Sequence, residues 1–156
     1  MGNNIFYIVL DFDGTVVKHC YPVVGEDIGA APILHRLVKN GHLLLLNTMR
    51  SRNCDGVDTL QPAIDWFVNN GIPLFGINEN PSQKSWTSSP KVYGNIYIDD
   101  AAMGAPLKAD AGAPPYIDWT LAAIYLFYQG LLSQSDILEL MAEKAIDVEC
   151  VKSLIK

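Results

Sequence analysis

Residues 5–15 read Ile5-Phe6-Tyr7-Ile8-Val9-Leu10-Asp11-Phe12-Asp13-Gly14-Thr15, an apolar run that ends in an acidic, glycine-bearing turn. An unbroken stretch of β-branched and aromatic residues fits a strand buried on both faces, as in parallel sheets covered by helices. In open parallel sheets, ligands bind beyond the carboxyl ends of the strands. The turn after Leu10 is therefore where chemistry is expected.

Downstream, strand and helix signals alternate. Ala30 to Asn40 carries Ile33, Leu34, Leu37 and Val38 at helical spacing, with Pro32 in the first turn and Gly41 past the end. Leu43–Leu46 reads as a second buried strand. Asp58 is placed to cap a second helix with Leu60, Ile64, Phe67 and Val68 on one face and Gly71 as terminator. Pro73–Ile77 and Val92–Ile98 read as strands three and four. This order predicts an α/β fold with a doubly wound, Rossmann-like parallel sheet. Val16 to Asp27, with Tyr21-Pro22 and Gly25, reads as a flap. Asn78 to Pro90 reads as a long polar loop. Beyond Pro114-Pro115, a helix over Tyr116–Leu132 and two short helices capped by Ser135 and Asp147 are expected. With no repeat or linker in view, residues 1–156 are taken as a single domain.

The chain has 156 residues, 49% hydrophobic and 18% charged, a composition suited to one sizeable core and unlike that of a disordered chain. Its net charge of −6 argues against nucleic acid as a partner, since binding phosphates calls for the opposite sign. The apolar runs fall short of the ~20 residues of a membrane span, and no signal-peptide pattern opens the chain. Cys20, Cys54 and Cys150, odd in number and widely spaced, fit neither a disulfide framework nor a zinc pattern. A cytoplasmic location is the expectation.

At the carboxyl ends of the strands stand Asp11 and Asp13, then Asn47-Thr48-Met49-Arg50, then Asp99-Asp100, with Lys91 eight residues before Asp99. Acids gathered at one edge repel each other, and an all-oxygen set suits Mg²⁺. Asp-x-Asp on extended chain sends both carboxylates to one side and Phe12 into the core, while Gly14 permits a sharp turn. A carboxylate beside Mg²⁺ is a competent nucleophile toward phosphorus, and a Thr hydroxyl and a Lys ammonium can neutralise phosphoryl oxygens. Gly14, Thr15, Arg50, Asn78 and Asn80 are further candidates for substrate contact. Lys91 is preferred over Lys84 as the phosphate ligand because of its spacing to the acid pair. Lys18, Arg50, Arg52, Lys84 and Lys91 all fall in segments expected at the rim, a cationic collar that would draw in a phosphate.

The ordered set DFDGT, Thr48, Lys91 and Asp99-Asp100 resembles the haloacid dehalogenase (HAD) superfamily of phosphatases. The resemblance spans residues 5 to about 119. It extends to small members without a large cap domain through Gly25-Glu26-Asp27-Ile28, Thr48-Met49-Arg50, Asn78-Glu79-Asn80-Pro81 and Asp118-Trp119. It implies Asp11 as a nucleophile that becomes an aspartyl-phosphate, Asp13 as general acid and base, and Thr48 and Lys91 on the phosphoryl group. Mg²⁺ is implied on Asp11, the Asp13 carbonyl oxygen and Asp99 or Asp100. The expected activity is hydrolysis of a small phosphorylated metabolite, a sugar phosphate or nucleotide, at an open site bounded by a flap only. Removal of terminal phosphates from a polynucleotide is the alternative within enzymes, and a receiver-like phospho-acceptor or binding module the alternative outside them. Receiver domains, however, place adjacent acids on their first strand and the phospho-acceptor on the third. Finally, Leu121, Ile124, Leu126, Phe127, Tyr128, Leu131 and Leu132 crowd one segment. They point either to a homo-oligomer formed through the C-terminal helices or to cover by those helices within one chain.

Overall fold

The computed structural model describes residues 4–52 and 56–154; Cys54 lies outside them, while Cys20 and Cys150 are free thiols. The elements in chain order are β1 (Tyr7–Leu10), α1 (Ala30–Lys39), β2 (Leu43–Leu46), α2 (Leu60–Asn69), β3 (Gly76–Ile77), β4 (Ile96–Ile98), β5 (Leu107–Lys108), β6 (Tyr116–Ile117), α3 (Trp119–Tyr128), α4 (Gln134–Ala142) and α5 (Val148–Leu154). A short 3₁₀ turn occupies Pro81–Ser85. Strands β1 to β4 form one parallel sheet in the order β3-β2-β1-β4. Among the described residues no helix is long and apolar enough to cross a membrane.

The two faces of this sheet are covered differently. Ile8, Leu10, Leu44, Leu46 and Ile98 join a single core with Ile33, Leu34 and Leu37 of α1, Ala63 and Phe67 of α2, and Ile124 of α3. The alternate residues Tyr7, Val9 and Leu45 face the other way and meet Val92. A right-handed return from β3 to β4 has to pass over that second face. Here it does so as the 78–95 segment, whose polar, proline-bearing sequence makes a 3₁₀ turn instead of an amphipathic helix. Among the described residues that face is therefore crossed by a loop, where the sequence led to the expectation of a helix.

Several strands are shorter than expected. Val92–Ile98 is a strand only from Ile96, because the Tyr97 hydroxyl donates to the Val92 carbonyl (2.6 Å) and accepts from the Gly94 N–H (3.2 Å), folding residues 92–95 into a loop. In α2 the Asp58 carboxylate does receive the Leu60 and Gln61 N–H groups, at 3.0 and 2.8 Å. Val68, expected inward, is exposed, and Ala63 takes the buried position with Phe67. The expected Tyr116–Leu132 helix begins at Trp119, since Tyr116–Ile117 pairs antiparallel with Leu107–Lys108. Asp118 then caps α3 by accepting from Thr120 and Leu121 N–H.

Ser135 is not a cap but lies inside α4. The cap is Ser133, which shares a reciprocal pair of bonds with Asp136. Asp147 caps α5 as expected, accepting from the Cys150 N–H at 2.9 Å. The apolar segment that suggested an oligomer is covered in part within the chain, with Leu121 and Phe127 half-buried and Tyr128 exposed. Ile124, Leu126, Leu131 and Leu132 are buried, and α3 packs on α1, α4 and α5. Ser133→Ala should lower stability by about 1 kcal/mol in urea unfolding, as loss of an N-cap does.

Candidate active site

Strand order reverses at β1, which has β2 on one side and β4 on the other. The crevice between the ends of β1 and β4 is thus the topological switch point, where ligands of open α/β sheets bind. The register Leu10↔Ile98, extended by the Asp11 N–H bond to the Ile98 carbonyl (3.0 Å), sets Asp11 beside Asp99. Asp11, Asp99 and Asp100 each offer a carboxylate oxygen, and these oxygens lie within 4.8 Å of one another. All three residues are half-buried.

Burial raises the Asp11 carboxyl most, and repulsion from Asp99, Asp100 and Asp13 adds to it against a bond from the Phe12 N–H; together they bring it from 3.8 to about 7. A site that penalises its own negative charge, built from hard oxygen donors, fits a divalent cation. The flanking acids are held in place. The Asp100 N–H donates to Thr15 Oγ1 at 3.0 Å, and the Asp100 carboxylate meets Thr15 Oγ1 at 3.4 Å and His19 Nε2 at 3.0 Å. Asp99 accepts from the Ala101 N–H at 2.8 Å. Gly14, at φ 80°, turns the chain here, and a Cβ at that position would run into the His19 ring and Asp100.

Asp13 stands outside that trio and is gripped by Arg50. Both of its oxygens, at 2.7 Å each, receive N–H bonds from Arg50, whose side chain is 1% exposed. The rest of the Arg50 fork donates to the carbonyls of Pro22 (2.9 Å), Val23 (2.8 Å) and Thr59 (3.2 Å). With all five donors used, Arg50 is neither a rim cation nor a free substrate contact, which corrects the sequence expectation. Thr15 is likewise fully buried on Asp100 and is not a substrate contact. Asn80 is buried, receiving the Ser82 N–H and donating to the Tyr93 carbonyl, and so stitches the loop instead of facing a ligand. Asn78 accepts the Thr48 N–H at 2.8 Å and thereby holds the β2 exit loop, with the Thr48 hydroxyl in turn accepting from the Arg50 N–H at 3.2 Å.

The expected cationic collar is also corrected. Lys18 pairs with Glu26 and Asp110, Arg52 with Asp58, and Lys84 with Glu79. Lys91 is exposed and rests 5.6 Å from the Tyr97 ring centroid, making no ion pair with the acids. His19, which shows no ligand spacing in the sequence, joins the site through the flap and meets Asp100 across 81 positions. The flap itself closes on Val17↔Asp27 pairing and the Lys18 N–H bond to Glu26 O, at 2.9 Å. Gly25 allows that closure, since a Cβ there would collide with the Lys18 carbonyl. Trp119, 1% exposed, donates from Nε1 to the Thr15 carbonyl at 2.8 Å, so Asp118-Trp119 anchors the acidic turn after β1 to α3.

The fold and site together define an α/β protein with a carboxylate cluster at its switch point. No protein-family model and no curated protein matches the chain. Among solved structures it is similar to a conserved protein from Bacteroides thetaiotaomicron, at 30% identity and a TM-score of 0.60, over 86% of this chain and 98% of that one. At that identity and coverage the chain belongs to the same family as that conserved protein.

The raised Asp11 carboxyl has a measurable consequence. Unfolded, it ionises near 3.8; folded, near 7. Between those values the folded chain binds more protons, so metal-free stability should fall as pH rises through that window. Asp11→Asn should flatten this fall and leave the metal-free protein more stable than wild type at pH 8, by about 1–3 kcal/mol. Thermal or urea unfolding in chelator from pH 4 to 8 measures it.

Proposed function

We propose that the protein is a Mg²⁺-dependent phosphomonoester hydrolase of the HAD type, acting through an aspartyl-phosphate on a small phosphorylated metabolite such as a sugar phosphate or nucleotide. The observation that carries this reading is the meeting of Asp11, Asp99 and Asp100 at the switch point, with Asp13 two residues from Asp11. The order of those residues along the chain is the order of the HAD motifs, which supports the reading further.

In this mechanism an Asp11 oxygen attacks phosphorus and the bond to the leaving oxygen breaks, while Asp13 gives that oxygen a proton. Water then attacks the aspartyl-phosphate, Asp13 takes its proton, and inorganic phosphate departs as the Asp11 carboxylate is restored. Asp11, Asp99 or Asp100 and the Asp13 carbonyl oxygen would hold Mg²⁺, which when bound would supply charge neutralisation for the acids and the phosphoryl oxygens. The Thr48 hydroxyl, just past the end of β2, is assigned to the phosphoryl group. Lys91 takes the same role by moving its ammonium from Tyr97 to the bound phosphate, an anion its exposed, flexible stem can follow. The flap of residues 16–27 is too small to enclose a large substrate by itself, so the site is open.

Purified protein should hydrolyse p-nitrophenyl phosphate with Mg²⁺, lose activity in chelator and regain it on Mg²⁺ addition. Asp11→Asn should reduce kcat by at least about 10³-fold, as expected for a nucleophile. Activity that survives exhaustive chelation, or more than a few per cent of kcat in Asp11→Asn, would refute the reading. Lys91→Ala should cost far more kcat than Lys84→Ala, and a reversed order would reassign the phosphate ligand. A panel of phosphorylated metabolites on the active protein identifies the substrate.

A further inference from the structure

Arg50 is almost fully buried, yet the acidic triad does not use its charge. Its fork divides between Asp13, which bridges to Val17 at the base of the flap, and Pro22 and Val23 at the flap's far end. Two N–H groups close on both oxygens of Asp13, and two more hold the carbonyls of Pro22 and Val23 in the flap. The fifth holds the Thr59 carbonyl at the entrance to α2. The guanidinium also lies 5.2 Å from the Phe12 ring centroid, inside the core, and 5.4 Å from that of Tyr21, in the flap. Its position between a buried aromatic and a flap aromatic leaves little freedom to adjust.

Such an arrangement constrains both partners. A carboxylate gripped at both oxygens has one orientation, and the same planar fork sets where the flap sits. If the flap lifts, Arg50 loses two carbonyl partners; if Asp13 turns, the fork loses its counter-charge. We propose that Arg50 is a positioning residue that sets the Asp13 carboxylate for proton transfer and couples that setting to the seating of the flap. The proposal rests on the phosphatase reading for the proton-transfer half, and on contacts alone for the flap half.

Asp13 matters most when the leaving oxygen needs a proton, so its misplacement has a signature that simple structural damage lacks. A graded set of substituted phenyl phosphates, from p-nitrophenyl phosphate to unsubstituted phenyl phosphate, reads it. Arg50→Lys keeps the charge but not the two-point grip. It should lower kcat about 3-fold on p-nitrophenyl phosphate and about 30-fold or more on phenyl phosphate, within the range of general-acid effects. In an Asp13→Asn background the same substitution should cost little more. Equal losses across the series, or additive losses with Asp13→Asn, would overturn the Asp13 half.

Hydrogen exchange tests the flap half without turnover. Both Arg50→Lys and Asp13→Asn should speed exchange at the Lys18 amide, which bonds to Glu26 O, while the Asn47 amide, bonded to Leu10 O in the sheet, keeps its protection. Unchanged Lys18 exchange in either variant would overturn the coupling. Wild-type protein that turns over no phosphomonoester in any metal would instead count against the phosphatase reading, and the exchange result would still decide whether Arg50 ties Asp13 to the flap.

Discussion

Parallel pairing of β1 with β4 is the constraint on which this molecule turns. Once Leu10 is in register with Ile98, the next residue on each strand is an aspartate, and a third follows on β4. The hydrophobic core that holds the register, with Ile8, Leu10 and Ile98 packed on the helices, is therefore what forces like charges together. Burial there pushes the Asp11 carboxyl up, and the repulsion of its neighbours adds to that, to about 7. Apolar packing and an unfavourable carboxylate cluster are two results of the same strand alignment.

Around that cluster the chain spends its polar groups on placement. Thr15 and His19 hold Asp100, the Ala101 N–H holds Asp99, and Arg50 holds Asp13. Trp119 ties the turn that bears Asp11 and Asp13 to α3 through the Thr15 carbonyl. The aspartates consequently have fixed directions before any ligand arrives. Preorganisation of this kind lowers the reorganisation needed when charge develops during a reaction.

The second face of the sheet shows how composition decides layering. Residues 78–95 must cross it to reach β4, and their sequence offers Asn80, Ser82, Gln83 and Pro81 where a helix would need an apolar stripe. Side-chain bonds take over the work of a helix. Asn80 reaches Tyr93, Gln83 reaches Ser89 and Lys91, and the Asn95 side chain accepts the Tyr7 N–H at the edge of β1. Tyr7, Phe75, Tyr93 and Trp86 then form a chain of ring contacts over that face.

Local sequence was enough to settle the identity and order of the main elements. The run Ile5 to Leu10, the leucines of β2 and the helical spacing of Ile33, Leu34 and Leu37 each express a periodicity that depends only on neighbours a few positions away. The acids that converge were also readable, because strand ends in a parallel sheet share one edge. What tertiary structure alone decided was which polar side chains face a ligand and which face the protein. Arg50, Thr15 and Asn80 look like binding residues in the sequence, yet Arg50 and Thr15 are buried on partners from distant segments and Asn80 on its own loop. His19 looks unremarkable there and meets Asp100 across 81 positions. Hydrogen bonding is directional and short-ranged, so a polar residue's role is set by the groups folding places within about 3 Å of it. Distances of that kind carry no periodic trace in the chain.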